Sequence, residues 1–354
     1  MAAGQIRIGI VGAGQITQKR HLPGFQAIPG VKVVGVCNRR RDSSARVARE
    51  WDIPTLYESW ESLVEDDAID AVVIGTWPYL HCPITLAALD AGKHVLTQAR
   101  MAMNAREAQR MLDRSREAKH LTAMIVPSPL GLAGDRLVKR LIDGGLLGRL
   151  REVHVHGLSD QWASRTTPLH WRQITRYSGF NMLNLGILHE TALRWTPPPV
   201  QVLARAAITI PARIDPETGK KARVGSPDSV QVFTTHEDES IGIYRLSGVV
   251  RHNLGTSIEL YGSRGTLLYD LESETIQVGR LNQPLRTVAI PEVERGGWQV
   301  EADFIAAIRG ERPVTRTDFL TGARYMQFTE AVARSSRSQG PVNLPLSEFS
   351  SPDE

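Results

Sequence analysis

The sequence predicts an α/β fold: an N-terminal doubly wound parallel sheet, followed by an α+β domain with a large, mostly antiparallel sheet. Three observations carry this expectation. Short, β-branched runs alternate with amphipathic helices from Gln5 to about Val126, and the first run opens directly into a glycine-rich turn at Gly12. Beyond residue 150 the pattern changes to strands of similar length separated by polar or glycine turns. A chain of 354 residues is also too long for one ordinary core, so two domains are expected, 1–126 and 127–354.

In the first domain the runs Ile6–Val11, Val31–Val36, Ala71–Ile74, His94–Leu96 and Leu121–Ile125 read as strands buried on both faces. The helices between them have legible ends. Asn104 and Glu107 form a capping-box pattern, and Gly92 follows the last turn of another helix. In the second domain Val153 and Val155 alternate with His154 and His156, which gives one apolar and one polar strand face. Val230–Thr234, Ile241–Leu246, Ser257–Tyr261 and Thr266–Tyr269 continue the pattern, and the polar stretch from Pro211 to Pro227 reads as a surface loop joining strands.

Composition narrows the function classes. The chain is 42% hydrophobic and 23% charged, with no apolar run near the length of a membrane span. Ile8–Val11 is short and runs into glycines without a preceding basic region, so a strand is expected there and not a signal peptide. Two cysteines, Cys37 and Cys82, cannot make a disulfide framework and lack metal-ligand spacing; a cytoplasmic protein without a metal is the expectation. A net charge of +4 does not argue for nucleic acid. The dense basic cluster Arg39-Arg40-Arg41 sits beside a strand end, where a phosphate-bearing small molecule accounts for it.

The first strand leads into Gly12-Ala13-Gly14-Gln15-Ile16-Thr17, the Rossmann dinucleotide-binding pattern with Thr17 at the third glycine position. Gly12 permits the tight turn, and Gly14 lets a pyrophosphate approach the backbone at the start of the helix formed from Gln15 and Ile16. The second strand ends in Asn38-Arg39-Arg40. An NAD enzyme usually places Asp or Glu near this point for the adenosine ribose. Asn38 lacks that charge, while Arg39 or Arg40 can pair with a 2′-phosphate and stack on adenine, so NADP is expected over NAD. The competing reading is a solvated basic turn that tolerates either cofactor.

The stretch Gly92–Met103, GKHVLTQARMAM, marks the carboxyl end of a short buried strand, where ligand chemistry sits in an open α/β sheet. Its tripeptide Gln98-Ala99-Arg100 carries one fixed cation and no group that titrates near neutrality. Together with Gly75-Thr76-Trp77-Pro78-Tyr79-Leu80-His81, the helix ending LAALDAGKHV, IELYGSRGTLLYD (Ile258–Asp270) and DFIAAIRGERPV (Asp303–Val314), it resembles the glucose–fructose oxidoreductase/inositol dehydrogenase (Gfo/Idh/MocA) family. The resemblance runs from Ile6 to about Leu344. It implies an oxidoreductase that uses a nicotinamide cofactor on a hydroxyl or carbonyl carbon of a sugar, cyclitol or related polyol. It also implies a homodimer or homotetramer joined through the C-terminal sheet.

The resemblance places Thr76, Trp77 and His81 on the cofactor loop, with Trp77 able to pack on the ring and His81 near the nicotinamide. Gln98 falls beside the cofactor. The family's Glu-Lys-Pro lysine is replaced by Ala99, which leaves Arg100 to orient a substrate oxygen; a surface or cofactor-phosphate contact is its other reading. The family's Asp-x-x-x-His motif matches Asn184 and Leu188, with His189 one residue on, about 100° round the helix. His189 is the expected proton carrier, with Asn184 orienting an oxygen; alternatively His189 makes a structural hydrogen bond and Glu190 supplies the carboxylate. His170, Trp171 and Arg172 suit the faces and hydroxyls of a sugar, though Trp171 could simply plug a domain junction. Two other functions remain open on the sequence: transient oxidation with elimination or epimerisation on a tightly bound cofactor, and a non-catalytic cofactor-binding protein.

Overall fold

The computed structural model describes residues 5–349. The chain forms two compact units. One comprises the chain up to Pro127 together with Gln299–Ala323; the other comprises Ser128–Trp298 with the chain from Arg324 onward. The return of 299–323 to the first unit is a feature that a single division at 126/127 does not include.

The first unit is built on six parallel strands: β1 (Ile6–Val11), β2 (Val31–Cys37), β3 (Thr55–Leu56), β4 (Ala71–Ile74), β5 (His94–Thr97) and β6 (Ala123–Ile125). Their order is β3-β2-β1-β4-β5-β6, so the chain reverses direction across the sheet between β1 and β4. That reversal is the switch point at which doubly wound sheets bind ligands. Ile8, Ile10, Val36, Val72, Ile74, Val95 and Leu96 are fully buried, as a sheet covered on both faces requires.

A π-helical turn at Thr17–His21 runs into α1 (Leu22–Gln26), followed by α2 (Arg41–Glu50), α3 (Trp60–Glu65), α4 (His81–Asp90) and α5 (Ala105–Glu117). The Asn104 side chain accepts the Glu107 N–H at 2.8 Å, as the capping pattern predicts. The return arm is displaced by one residue, because Glu107 accepts from Met103 N–H rather than from Asn104. Gly92 turns with φ +72° after α4.

The second unit contains α6 (Asp135–Asp143), α7 (Thr175–Ser178) and α8 (Leu185–Ala192). Its large sheet uses β7 (Leu150–Leu158), β8 (Pro199–Ala207), β11 (Ser229–His236), β12 (Ile241–Ser247), β13 (Thr256–Gly262), β14 (Gly265–Asp270), β15 (Thr275–Arg280), β16 (Arg286–Val288) and β17 (Val342–Asn343). The order is β16-β15-β14-β13-β7-β12-β11-β8-β17, antiparallel throughout except for the β7–β12 pair. Val153, Val155, Val230, Val232, Tyr244, Leu246, Ile258 and Leu260 are fully buried on one face, the alternation expected from β7. The stretch Pro211–Pro227 is more than a surface loop. It holds a small hairpin, β9 (Ala212–Ile214) with β10 (Lys221–Arg223). Arg213, within β9, is buried and donates to the carbonyls of Trp162, Ser164 and Thr167. A buried guanidinium needs such acceptors, and the local polarity of the sequence hid this one.

The last helices are α9 (Val300–Ile308), in the first unit, and α10 (Phe319–Ser338), which begins in the first unit and continues into the second. No helix among the described residues is long and apolar enough to cross a membrane.

Candidate active site

In the first unit the loops after β1 and β4 meet backbone to backbone. Gly12 has φ +88°, and a Cβ there would lie 2.7 Å from both Gly75 C and Thr76 N. A Cβ on Gly75 would in turn reach Gly12 O at 2.2 Å. Both positions therefore require glycine. Gly14 differs, because a Cβ there would meet nothing nearer than Gly75 O at 4.0 Å. Its lack of a side chain keeps open the space over the strand ends, which is the opening a pyrophosphate needs to reach backbone amides. Thr17, at the third glycine position, is buried and donates its hydroxyl to Gly12 O at 3.1 Å, closing the turn from below. Gln15 and Ile16 are exposed at the start of the helical segment.

At the end of β2 the Asn38 carboxamide is built into this loop. Its Oδ1 accepts Ala13 N–H at 2.6 Å and its Nδ2 donates to Ser43 Oγ at 3.1 Å. The Arg39 guanidinium stands 5.8 Å from the centroid of the Trp77 indole, close enough for a cation–π contact. Arg39, expected at the adenosine end, therefore faces Trp77, which comes from another strand end and was expected to pack on the nicotinamide ring. Arg40, exposed and extended, precedes α2, and Arg41 pairs with Glu58.

His81 is fully buried at the start of α4, with Nε2 3.0 Å from Thr76 O and Nδ1 2.9 Å from Arg100 O. Burial lowers its pKa, against the raising effect of the carbonyls it meets. The ring ties the β4 and β5 loops together. Arg100 is only 3% exposed, which corrects the reading of it as a surface contact, and the Ala99–Arg100 peptide is cis. Gln98 leaves β5 half-buried, its N–H donating to Ile74 O. Its Nε2 lies 2.6 Å from His21 Nε2, and His21 Nδ1 lies 2.5 Å from Glu301 Oε1.

In the second unit Asn184 is exposed at the N-terminus of α8. His189 is enclosed, at 2% exposure. Its Nδ1 lies 2.9 Å from the Tyr244 hydroxyl, and its ring stacks on Phe328 at 3.6 Å and 13°. Burial, aided by the nearby His236, pushes its pKa well below the ordinary histidine value, which favours the structural hydrogen bond over the proton carrier among the two readings of the sequence. Glu190 is also buried, salt-bridged to Arg194 at 2.9 Å and accepting Ser128 N–H at 2.8 Å. Leu188 packs on β7, at the position of Gly157.

His170, Trp171 and Arg172 form one group. The guanidinium stands 4.8 Å from the indole centroid, and the two rings are 5.6 Å apart. His170 and Trp171 are half-buried. The His170 Nδ1 accepts Arg172 N–H at 3.2 Å, and burial, then Arg172, lowers its pKa. A neutral ring with Nδ1 accepting carries its proton on Nε2.

His21 and Glu301 are 280 residues apart and belong to no motif, so nothing local in the sequence links them. The role of Thr17 was likewise hidden, because a threonine in a glycine position reads as a loss and not as a substitute hydrogen bond. Among the described residues no group of three or more His, Cys, Asp or Glu is placed to hold a metal.

A glycine turn closed against the neighbouring strand loop, at the reversal of a six-stranded parallel sheet, defines a dinucleotide-binding domain. The model of the oxidoreductase family with an NAD-binding Rossmann fold (GFO_IDH_MocA) matches residues 6–125, and the GFO/IDH/MocA C-terminal domain matches residues 136–268. The chain belongs to this family and is an oxidoreductase of the NAD-binding type. It is 23% identical to levoglucosan dehydrogenase of Pseudarthrobacter phenanthrenivorans, over 96% of this chain and 98% of that one. It is also 23% identical to myo-inositol 2-dehydrogenase of Thermotoga maritima, over 77% and 78%. A solved levoglucosan dehydrogenase in complex with NADH and L-sorbose superposes with a TM-score of 0.87 at 22% identity, covering 97% of this chain and 100% of that one, which shows the shared fold.

Proposed function

We propose that the protein is an NAD(P)-dependent oxidoreductase that acts on a hydroxyl or carbonyl carbon of a sugar, cyclitol or related polyol. The observation that carries this reading is the open cradle at Gly14 beside the locked Gly12–Gly75 contact. Relatives named for levoglucosan and myo-inositol support the substrate class. When bound, the nicotinamide supplies the acceptor or donor of a hydride. Gly12, Gly14, Gln15 and Ile16 hold the pyrophosphate end, and Arg39 with Trp77 takes the adenosine end. Arg39 and Arg40, with no carboxylate at position 38, favour NADP over NAD.

On the substrate side, Trp171 offers an apolar face to C–H edges, Arg172 a fork of donors, and neutral His170 an Nε2–H donor to a substrate oxygen. Asn184 and Arg100 are assigned to orienting oxygens. His189 is assigned a structural role, because an enclosed neutral ring stacked on Phe328 and bonded to Tyr244 has no path for a substrate proton. The homo-oligomer expected through the sheet is supported by the apolar row of exposed Leu203 and Phe233 with half-buried Ile243, on the face opposite the core. The function is tested by supplying NADP or NAD with a panel of sugars, cyclitols and sugar acids. Cofactor reduction coupled to substrate oxidation supports it. Altered product at catalytic cofactor, with no net reduction, replaces it with the elimination or epimerisation reading.

A further inference from the structure

Outside the residues assigned above, the first unit buries an ionisable pair with no evident structural need for it. His21 is fully enclosed and the Glu301 side chain only 5% exposed, with 2.5 Å between Nδ1 and Oε1. Burying such groups is costly unless each is bonded, and apolar residues of similar size would fill the space without that cost. The backbone around the pair is shaped to admit it. A Cβ on Gly24, in α1, would lie 2.7–2.8 Å from Cγ, Cδ and Oε2 of Glu301, so the carboxylate reaches His21 only across a glycine.

The far nitrogen of His21 meets Gln98 at the carboxyl end of β5, one strand from the switch point. An amide NH2 group can only donate. With Gln98 Nε2 facing His21 Nε2, the histidine nitrogen must accept, its proton sits on Nδ1, and that N–H donates to Glu301. The carboxylate thus fixes the tautomer, and the tautomer fixes the amide. Without this chain the two orientations of a glutamine amide differ little in energy, and a ligand would meet either a donor or an acceptor.

We propose that Glu301 and His21 form a buried positioning relay that holds the Gln98 carboxamide with Nε2 turned inward, so that Oε1 is offered to a hydrogen-bond donor of the bound nicotinamide dinucleotide. The proposal rests on the dinucleotide reading of the strand ends. His21 and Glu301 touch no reacting atom and are positioning residues; Gln98 makes the contact.

Two readouts test it on the full-length protein. Long-range 1H–15N spectra of 15N-histidine-labelled protein report each ring's tautomer, with the His21 signal assigned by its loss in His21→Asn. The relay requires a neutral His21 with its proton on Nδ1, and a signal from the Nε2–H form or from imidazolium at neutral pH overturns it. The second readout is the dissociation constant of the reduced dinucleotide, followed by fluorescence without turnover. Glu301→Gln, Gly24→Ala and Gln98→Leu should each weaken binding about tenfold, the scale of one hydrogen bond. In the Gln98→Leu background, Glu301→Gln should add nothing, because the relay acts only through that amide. Additive losses overturn the proposal. Should Glu301→Gln fail to fold, Gly24→Ala repeats the cycle with every polar group retained. If the wild-type protein binds neither dinucleotide, the functional reading fails, while the tautomer still decides whether the relay exists.

Discussion

The His189 imidazole lies flat on the Phe328 ring, 3.6 Å between centroids, with its Nδ1 bonded to the Tyr244 hydroxyl. A histidine so enclosed stays neutral, and the depression of its pKa by burial makes it a source of acid instability. The unfolded chain binds a proton near the ordinary value of about 6.5, while the folded chain does not until much lower pH. Stability is therefore complete above about pH 6.5 and falls as the pH drops below it, by up to about 1.4 kcal/mol per pH unit for this one group. His189→Phe, which keeps the stack and removes the titration, should flatten the acid limb of urea-denaturation stability against pH. It should leave the pH profile of turnover unchanged in shape. A new or missing inflection in kcat would return His189 to the chemistry.

The two glycines of the turn should separate stability from binding. Gly12→Ala forces a Cβ into Gly75 and Thr76 at a positive φ and should cost more than about 2 kcal/mol in denaturation. Gly14→Ala meets no protein atom closer than 4.0 Å, so the thermal midpoint should hold while dinucleotide affinity falls at least about tenfold. Equal losses of stability in both variants would deny the cradle.

Arg39, beside an uncharged Asn38 and 5.8 Å from the Trp77 ring, carries the expectation of NADP. Arg39→Ala should weaken NADP by a factor of about 10–100, the worth of a charged hydrogen bond, and change NAD binding much less. Titration calorimetry with both oxidised cofactors measures this. Tighter binding of NAD than NADP by the unaltered protein would contradict it.

On the open face of the large sheet, Phe233 is 54% exposed and pairs directly with Leu203 on one neighbour and Ile243 on the other. Phe233→Glu places a charge in this apolar row and should shift the light-scattering mass toward monomer without loss of the thermal midpoint. An unchanged mass would move the subunit contact elsewhere.

The periodicity of the sequence reached most of this fold for a physical reason. Strands such as Ala71–Ile74 are buried on both faces and write that burial into four consecutive apolar residues. The Val153/His154 alternation likewise records one core face and one open face. Two-residue strands such as Thr55–Leu56 carry no such pattern, being fixed by the neighbour they pair with. The glycine turn was legible because its chemistry is local. The His21–Glu301 pair was not, because it depends on a helix 280 residues away returning to the first unit. His189 was ambiguous for a related reason: one residue of helical register decides between a cleft and a core, and its contacts with Tyr244 and Phe328 come from elements far away in the sequence.

Whether the protein is a polyol oxidoreductase is decided by a single-turnover measurement with protein, stoichiometric NADP or NAD and a panel of sugars, cyclitols and sugar acids, following the absorbance of the reduced nicotinamide. Bound cofactor should be reduced with at least one polyol, and that signal should be lost in Gly14→Ala. Tight cofactor binding with no reduction or reoxidation by any member of the panel or its keto counterpart would contradict it.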